Sequence, residues 1–122
     1  RNILPKDISL SSAISQWGNL GGLIMGFSNN DSDLIKRSMK DKIIEPVRSS
    51  LIKGFEDIRN NALDIGAIGF GISGSGPTMF ALCESNYIAE NICSYSSNYY
   101  NSLEIECDTY ISKVNKDGPS II

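Results

Sequence analysis

The chain has 122 residues, 41% hydrophobic and 20% charged, with 11 Lys+Arg against 14 Asp+Glu, the size and make-up of one globular domain rather than two. A net charge of −3 lacks the surplus of Lys and Arg that phosphate-backbone recognition needs, so nucleic acid is excluded as a partner. No apolar run approaches the ~20 residues that cross a bilayer, so no membrane is expected. With no histidine in the chain, imidazole triads and His-held zinc are ruled out within it.

After Pro5, Ser9 is an N-cap candidate, and Leu10, Ala13, Ile14, Trp17, Leu20, Ile24 and Phe27 recur at helical spacing, which predicts one long amphipathic helix with that face turned to the core. Gly18, Gly22 and Gly26 form a bare stripe on the same helix; close packing against a neighbouring backbone is the simpler reading and room for a ligand the alternative. Asn29 to Ser32 reads as a loop and capping cluster, and Leu34, Ile35, Met39 and Ile43 carry a second helical period ending near Glu45, before Pro46. Val47 to Ser50 reads as a connector. Phe55, Ile58, Ala62 and Ile65 predict a third helix, with Gly66 where a left-handed cap belongs.

From Gly66 the period changes to two, with Ile68, Phe70 and Ile72 on one face and Gly69 and Gly71 leaving the other bare. A turn over Ser73 to Pro77 and a β-rich run from Thr78 to Cys83 complete a predicted hairpin. Ile88, Ile92, Tyr95 and Tyr99 mark a fourth helix, and Leu103 to Ser112 alternates as a half-buried strand before a turn at Gly118-Pro119 and a final Ile121-Ile122. Three helices, a hairpin, a helix and a strand make an α+β domain, an antiparallel sheet with helices on one face.

Cys83, Cys93 and Cys107 are odd in number and form no C-x-x-C pair, which suggests neither a disulfide framework nor a zinc ribbon, and fits a reducing, cytoplasmic setting. The chain opens on Arg1 without signal-peptide architecture and reads as a piece of a longer protein.

The chemistry-bearing segment is Gly69 to Thr78, with four glycines and two serines in ten residues. Its Gly69-x-Gly71-x-x-Gly74 matches a dinucleotide fingerprint, but that motif must open a helix, and here a turn and a strand follow. Gly71-x-x-x-x-Gly76-Pro77-Thr78 resembles a Walker A loop whose essential lysine is replaced by proline, which offers neither charge nor N–H. Two readings remain, a tight glycine-rich hairpin without a ligand and an anion-binding concavity, in which consecutive small residues let backbone N–H groups turn inward and serine hydroxyls add donors. Arginines are scarce. Arg37 and Arg59 fall in helices among polar neighbours and are expected to be solvated; Arg1 and Arg48 stand in connecting segments, where surface charge is the simpler reading of the spacing and a clamp of two guanidinium forks on a small carboxylate the alternative.

Several segments together resemble the C-terminal domain of the homoserine kinases, within the GHMP small-molecule kinases. Arg1-Asn-Ile-Leu-Pro5 is similar to the R-x-x-L-P segment of that family, and Lys40 to Arg48 to its K-D-x-x-x-E-P-x-R. Leu51 to Phe55 resembles L-x-P-G-F, with Lys53 in place of proline, and Gly66 to Leu82 resembles the third GHMP motif, G-A-x-x-x-G-I-S-G-S-G-P-T-x-F-A-L.

The resemblance covers residues 1–122 and implies a ferredoxin-like C-terminal domain lacking its first strand, with a gap or exposed edge that pairing with another chain or homodimerisation would fill. It implies ATP-dependent phosphorylation of L-homoserine to O-phospho-L-homoserine on the route to threonine, with Arg1 and Arg48 holding the substrate carboxylate and Ser73, Gly74, Ser75 and Gly76 lying beside the nucleotide phosphate loop, where they support and polarise the phosphate site. No catalytic or metal-binding residue is expected in this segment. ATP and Mg²⁺ would be bound mainly by the N-terminal domain, whose P-x-x-x-G-L-G-S-S-A loop has no match here, so the piece alone is expected to be inactive. The alternative is a non-catalytic ferredoxin-like module for ligand binding or assembly.

Overall fold

The computed structural model describes residues 3–115, 117 and 118; Arg1 and the residues from Pro119 to Ile122 lie outside them. The element order is α1 (Leu10–Asn29), α2 (Ser32–Ser38), α3 (Glu45–Arg48) running into a 3-10 turn (Ser49–Leu51), α4 (Phe55–Ile65), β1 (Gly69–Ile72), β2 (Met79–Leu82) and α5 (Asn86–Ser102). The α+β class expected from the sequence is the class observed.

Helix α1 starts where Ser9 accepts the N–H of Ser12 and stops at Asn30, which takes the left-handed conformation with φ 53° and caps the last turn. Asp31 then accepts the N–H of Leu34 to start α2. The two helices form a hairpin packed through glycine. Gly22 lies against Ser38 and Leu34, and Gly26 against Ile35 and the Asp31 backbone, so no side chain on α1 holds the backbones apart; Gly18 faces open space. The stripe of small residues is a packing surface at two of its three positions. The apolar face expected to meet the core does not. Ala13 is buried, but Ile14, Trp17, Leu20 and Ile24 are 57%, 64%, 58% and 58% exposed, because the glycine side of the helix, not the bulky side, is the one that meets α2.

The second helical period also divides. It breaks at Met39 (φ −81°, ψ 60°) rather than running to Glu45. The Asp41 carboxylate takes the N–H groups of Ile43, Ile44 and Glu45 at 2.7, 2.9 and 3.2 Å, satisfying the orphan donors of a new turn, and Pro46 fits its first turn. Part of the expected connector is therefore α3.

The core lies between the hairpin and two helices: Phe55, Ile58 and Ala62 of α4, Ala67 and Phe70 around β1, and Ile92 and Tyr100 of α5. Phe55 and Phe70 meet edge to face, 5.6 Å between centroids. The Tyr100 hydroxyl donates to the Lys53 carbonyl at 2.8 Å. The Tyr99 hydroxyl donates to Asp57 at 2.6 Å, a bond that holds its phenol up to about 12. Gly66 ends α4 as expected, with φ 120° and its N–H on the carbonyls of Ala62 and Leu63.

Strands β1 and β2 pair antiparallel in the register Gly69↔Leu82 through Ile72↔Met79. The expected bare side of β1 is covered: the Met39 side chain lies against Gly69, and Phe80 and Glu45 against Gly71. The expected last strand, Leu103 to Ser112, is not a strand. Leu103, Ile105 and Cys107 still pack on the core while Glu104, Glu106 and Asp108 are exposed, so the alternation is obeyed. A strand also needs a ladder for its backbone groups, and among the described residues β1 is hydrogen-bonded to β2 alone.

Candidate functional site

Helix α1, the Met39–Asp41 segment, α3 and the hairpin enclose a cleft of about 230 Å³. That is smaller than the ~300–1,000 Å³ of complete ligand pockets, as one wall of a larger site would be. Gln16, Asn19 and Leu23 line it from α1, Glu45 and Arg48 from α3, and Gly71 and Gly74 from the hairpin.

The sequence supplies unusual means of holding this wall. Two amides three residues apart on α1 clasp the segment opposite: Asn19 donates to the Lys40 carbonyl and Gln16 accepts from the Lys42 N–H, both at 2.8 Å. Asp41, with its carboxylate spent on three backbone donors, fixes the start of α3. Arg48, one helical turn further on, is thereby aimed across the cleft and donates through Nη1 to the Ser75 carbonyl at 2.7 Å. The structure thus brings together Arg48 and the glycine-serine loop, which lie 27 residues apart in the chain. Arg1 falls outside the described residues.

The loop itself is a tight reversal. Ser73 donates its N–H to Thr78 and Gly76 its N–H to Ser73, the Gly76-Pro77 peptide is cis, and Gly74 and Gly76 take φ of 60° and 77°, open to glycine at no steric cost. Among the described residues the N–H groups of Gly74 and Ser75 meet no acceptor, and both residues are exposed. These two donors and the Arg48 guanidinium favour an anion. They do not fit a hard divalent cation, which demands oxygen ligands.

Sequence reasoning missed the supporting cast. Gln16 and Asn19 carried a signal, two amides at i and i+3 on a helix without a single charged residue; the backbone partners they reach, 21 and 26 residues away, did not. Arg59 is only partly solvated, its side chain 34% exposed. Its guanidinium stacks 6.0 Å from the Phe55 centroid, pairs with Glu56 at 2.7 Å and approaches Glu45 at 3.9 Å.

Glu45 is held in this wall at a cost. Burial pushes its carboxyl above the ordinary 4.5, Arg59 pulls it down, and Asp41 and Glu56 push it up again. A carboxyl with a higher pKa in the folded state favours folding in its protonated form. That contribution is complete below the unfolded value and is lost as pH rises through the folded one. Glu45→Gln is therefore expected to flatten this part of the profile: the variant loses less stability than the parent between about pH 4 and about pH 7, read by urea denaturation at the two values. An equal or steeper loss contradicts the assignment.

The chain matches the model of the C-terminal region of GHMP kinases over residues 16–102. It belongs to the GHMP kinases. It is 42% identical over its whole length to a homoserine kinase of Chloroherpeton thalassium, of which it covers 39%, and 43% identical to one of Chlorobium phaeobacteroides, again over its whole length and 39% of the relative. Among solved structures, a homoserine kinase from Cytophaga hutchinsonii superposes on the entire chain with a TM-score of 0.93 at 52% identity, the chain covering 39% of it. The chain thus spans about two fifths of the length of these relatives, the portion that forms the C-terminal domain of a GHMP kinase.

Proposed function

We propose that this chain is the C-terminal part of a homoserine kinase that transfers a phosphoryl group from ATP to the hydroxyl of L-homoserine. The observation that carries the reading is the meeting of Arg48 and the Gly74-Ser75 turn in one cleft. A guanidinium fork matches a carboxylate bidentately, and backbone donors left without an acceptor suit the charge that develops on a transferring phosphoryl group. Arg48 would hold the carboxylate of homoserine, with Arg1 as the second arm of the clamp, and Ser73 to Gly76 would lie beside the nucleotide phosphate loop and polarise the phosphate site.

ATP and Mg²⁺ would be held mainly by the part of the kinase that this chain does not cover, since the P-x-x-x-G-L-G-S-S-A loop has no match in this chain. ATP, when bound, supplies the phosphoryl group; the residues of this chain orient the acceptor and polarise its surroundings. A homodimer in the cytoplasm is the proposed working form.

The test is a chimera in which the part of the C. thalassium relative that precedes the matched region is fused ahead of this chain. The chimera is expected to phosphorylate homoserine with ATP, and the 122-residue chain alone to show no turnover. A folded chimera without turnover, or turnover by the chain alone, overturns the proposal.

A further inference from the structure

Helix α1 has three sides. One packs on α2 through Gly22 and Gly26, and one lines the cleft through Gln16, Asn19 and Leu23. The third carries Ile14, Trp17, Leu20 and Ile24, each more than half exposed. No residue of the helix bears a charge. A long apolar side without a charged rim differs from the mixed surface of a solvated helix.

The accessible surface points the same way. A compact monomer of this mass exposes about 6,500 Å², whereas this chain exposes 8869 Å². Part of the surplus lies on the segment after α5, where Tyr110 and Val114 are 86% and 74% exposed; the whole is more than twice the ~800 Å² that a partner contributes to a standard interface. Leu20 belongs both to the apolar side of α1 and to the wall of the cleft, so the two are contiguous and a body that closes the cleft meets the apolar side at Leu20. The relatives possess such a body: about three fifths of their length lies outside the region matched here.

We infer that the Ile14–Trp17–Leu20–Ile24 side of α1 is the seat of the preceding part of the kinase, the same part that closes the cleft. The inference rests on the reading of this chain as part of a larger kinase. A second copy of the chain is the weaker occupant. Contact through a single helix side would leave much of the surplus uncovered, and a copy seated over Leu20 would obstruct the cleft mouth.

Trp17 is the only tryptophan in the chain and reports on this side directly. In the chain alone its emission is expected to be water-like and freely quenched by iodide. In the chimera described above, with the fused part chosen to lack tryptophan, emission shifts to the blue and quenching falls at least severalfold. Trp17→Lys is expected to lower the melting temperature of the chimera and leave that of the chain alone unchanged.

A chimera that phosphorylates homoserine while Trp17 stays freely quenched overturns the seat and leaves the proposed function standing. A chimera with Trp17 protected but without turnover does the reverse. Concentration-dependent protection in the chain alone, with dimers by sedimentation, overturns it in favour of a second copy. Should the fusion not fold, the preceding part is titrated as a separate polypeptide onto the chain, and a Trp17 that remains unprotected there overturns the inference.

Discussion

Arg48→Ala in the fused kinase is expected to raise the KM for homoserine by roughly 30-fold to several-thousand-fold, the equivalent of 2–5 kcal/mol when one member of a desolvated charge pair is removed. The KM for ATP is expected to move far less. The same variant should fold almost as well as the parent. The only hydrogen bond it loses in the described structure is to the carbonyl of the exposed Ser75, which water can replace, so the cost to stability is about 1 kcal/mol or less. Arg48→Lys separates charge from shape: it keeps the cation but not the planar fork, and should recover only part of the loss. Steady-state kinetics with homoserine varied at saturating ATP, beside thermal melts, distinguish the two effects. A change in KM within assay error would remove Arg48 from the substrate site and favour a non-catalytic module.

The placement of Arg48 shows how far the sequence reached and where it stopped. Local periodicity and capping chemistry were legible because they depend on neighbours in the chain. Ser9, Gly66 and the alternation through Phe70 and Ile72 mark the boundaries they were expected to mark. Which face of an element is covered is a tertiary matter. The heavy apolar face of α1 has the spacing of a core helix, yet in this chain the glycines meet α2 and the bulky side is exposed. The alternation from Leu103 to Cys107 was read correctly as a half-buried pattern, but strand formation also requires a neighbouring backbone.

The site divides the same way. The glycine-serine turn was legible because few folds need so many glycines in ten residues, and the family resemblance singled out Arg48. The clasp by Gln16 and Asn19 was not, since a backbone carbonyl or N–H more than 20 residues away leaves no mark on sequence. Arg59 is a related case: its polar neighbours in sequence suggest water, while the Phe55 ring beneath it comes from the previous turn of α4.

Phe55→Ala is expected to cost about 3–5 kcal/mol of folding stability, the usual range for removing a fully buried aromatic ring. Phe55 opens α4, is 2% exposed, meets Phe70 of β1 edge to face and supports the Arg59 guanidinium. Its loss leaves a cavity at the junction of α4 and the hairpin that carries the glycine-serine turn. A domain of this size holds about 5–15 kcal/mol in all, so the variant should melt on the order of 10–20 °C lower or fail to fold at physiological temperature. Trp17 provides the internal comparison. It is the larger side chain but 64% exposed, and Trp17→Ala in the chain alone should change stability by no more than about 0.5 kcal/mol. Urea denaturation followed by circular dichroism on the two variants decides whether burial or residue size governs stability here. A small effect at Phe55 together with a large one at Trp17 would mean that α1, rather than the layer between α4, α5 and the hairpin, holds the core of this chain.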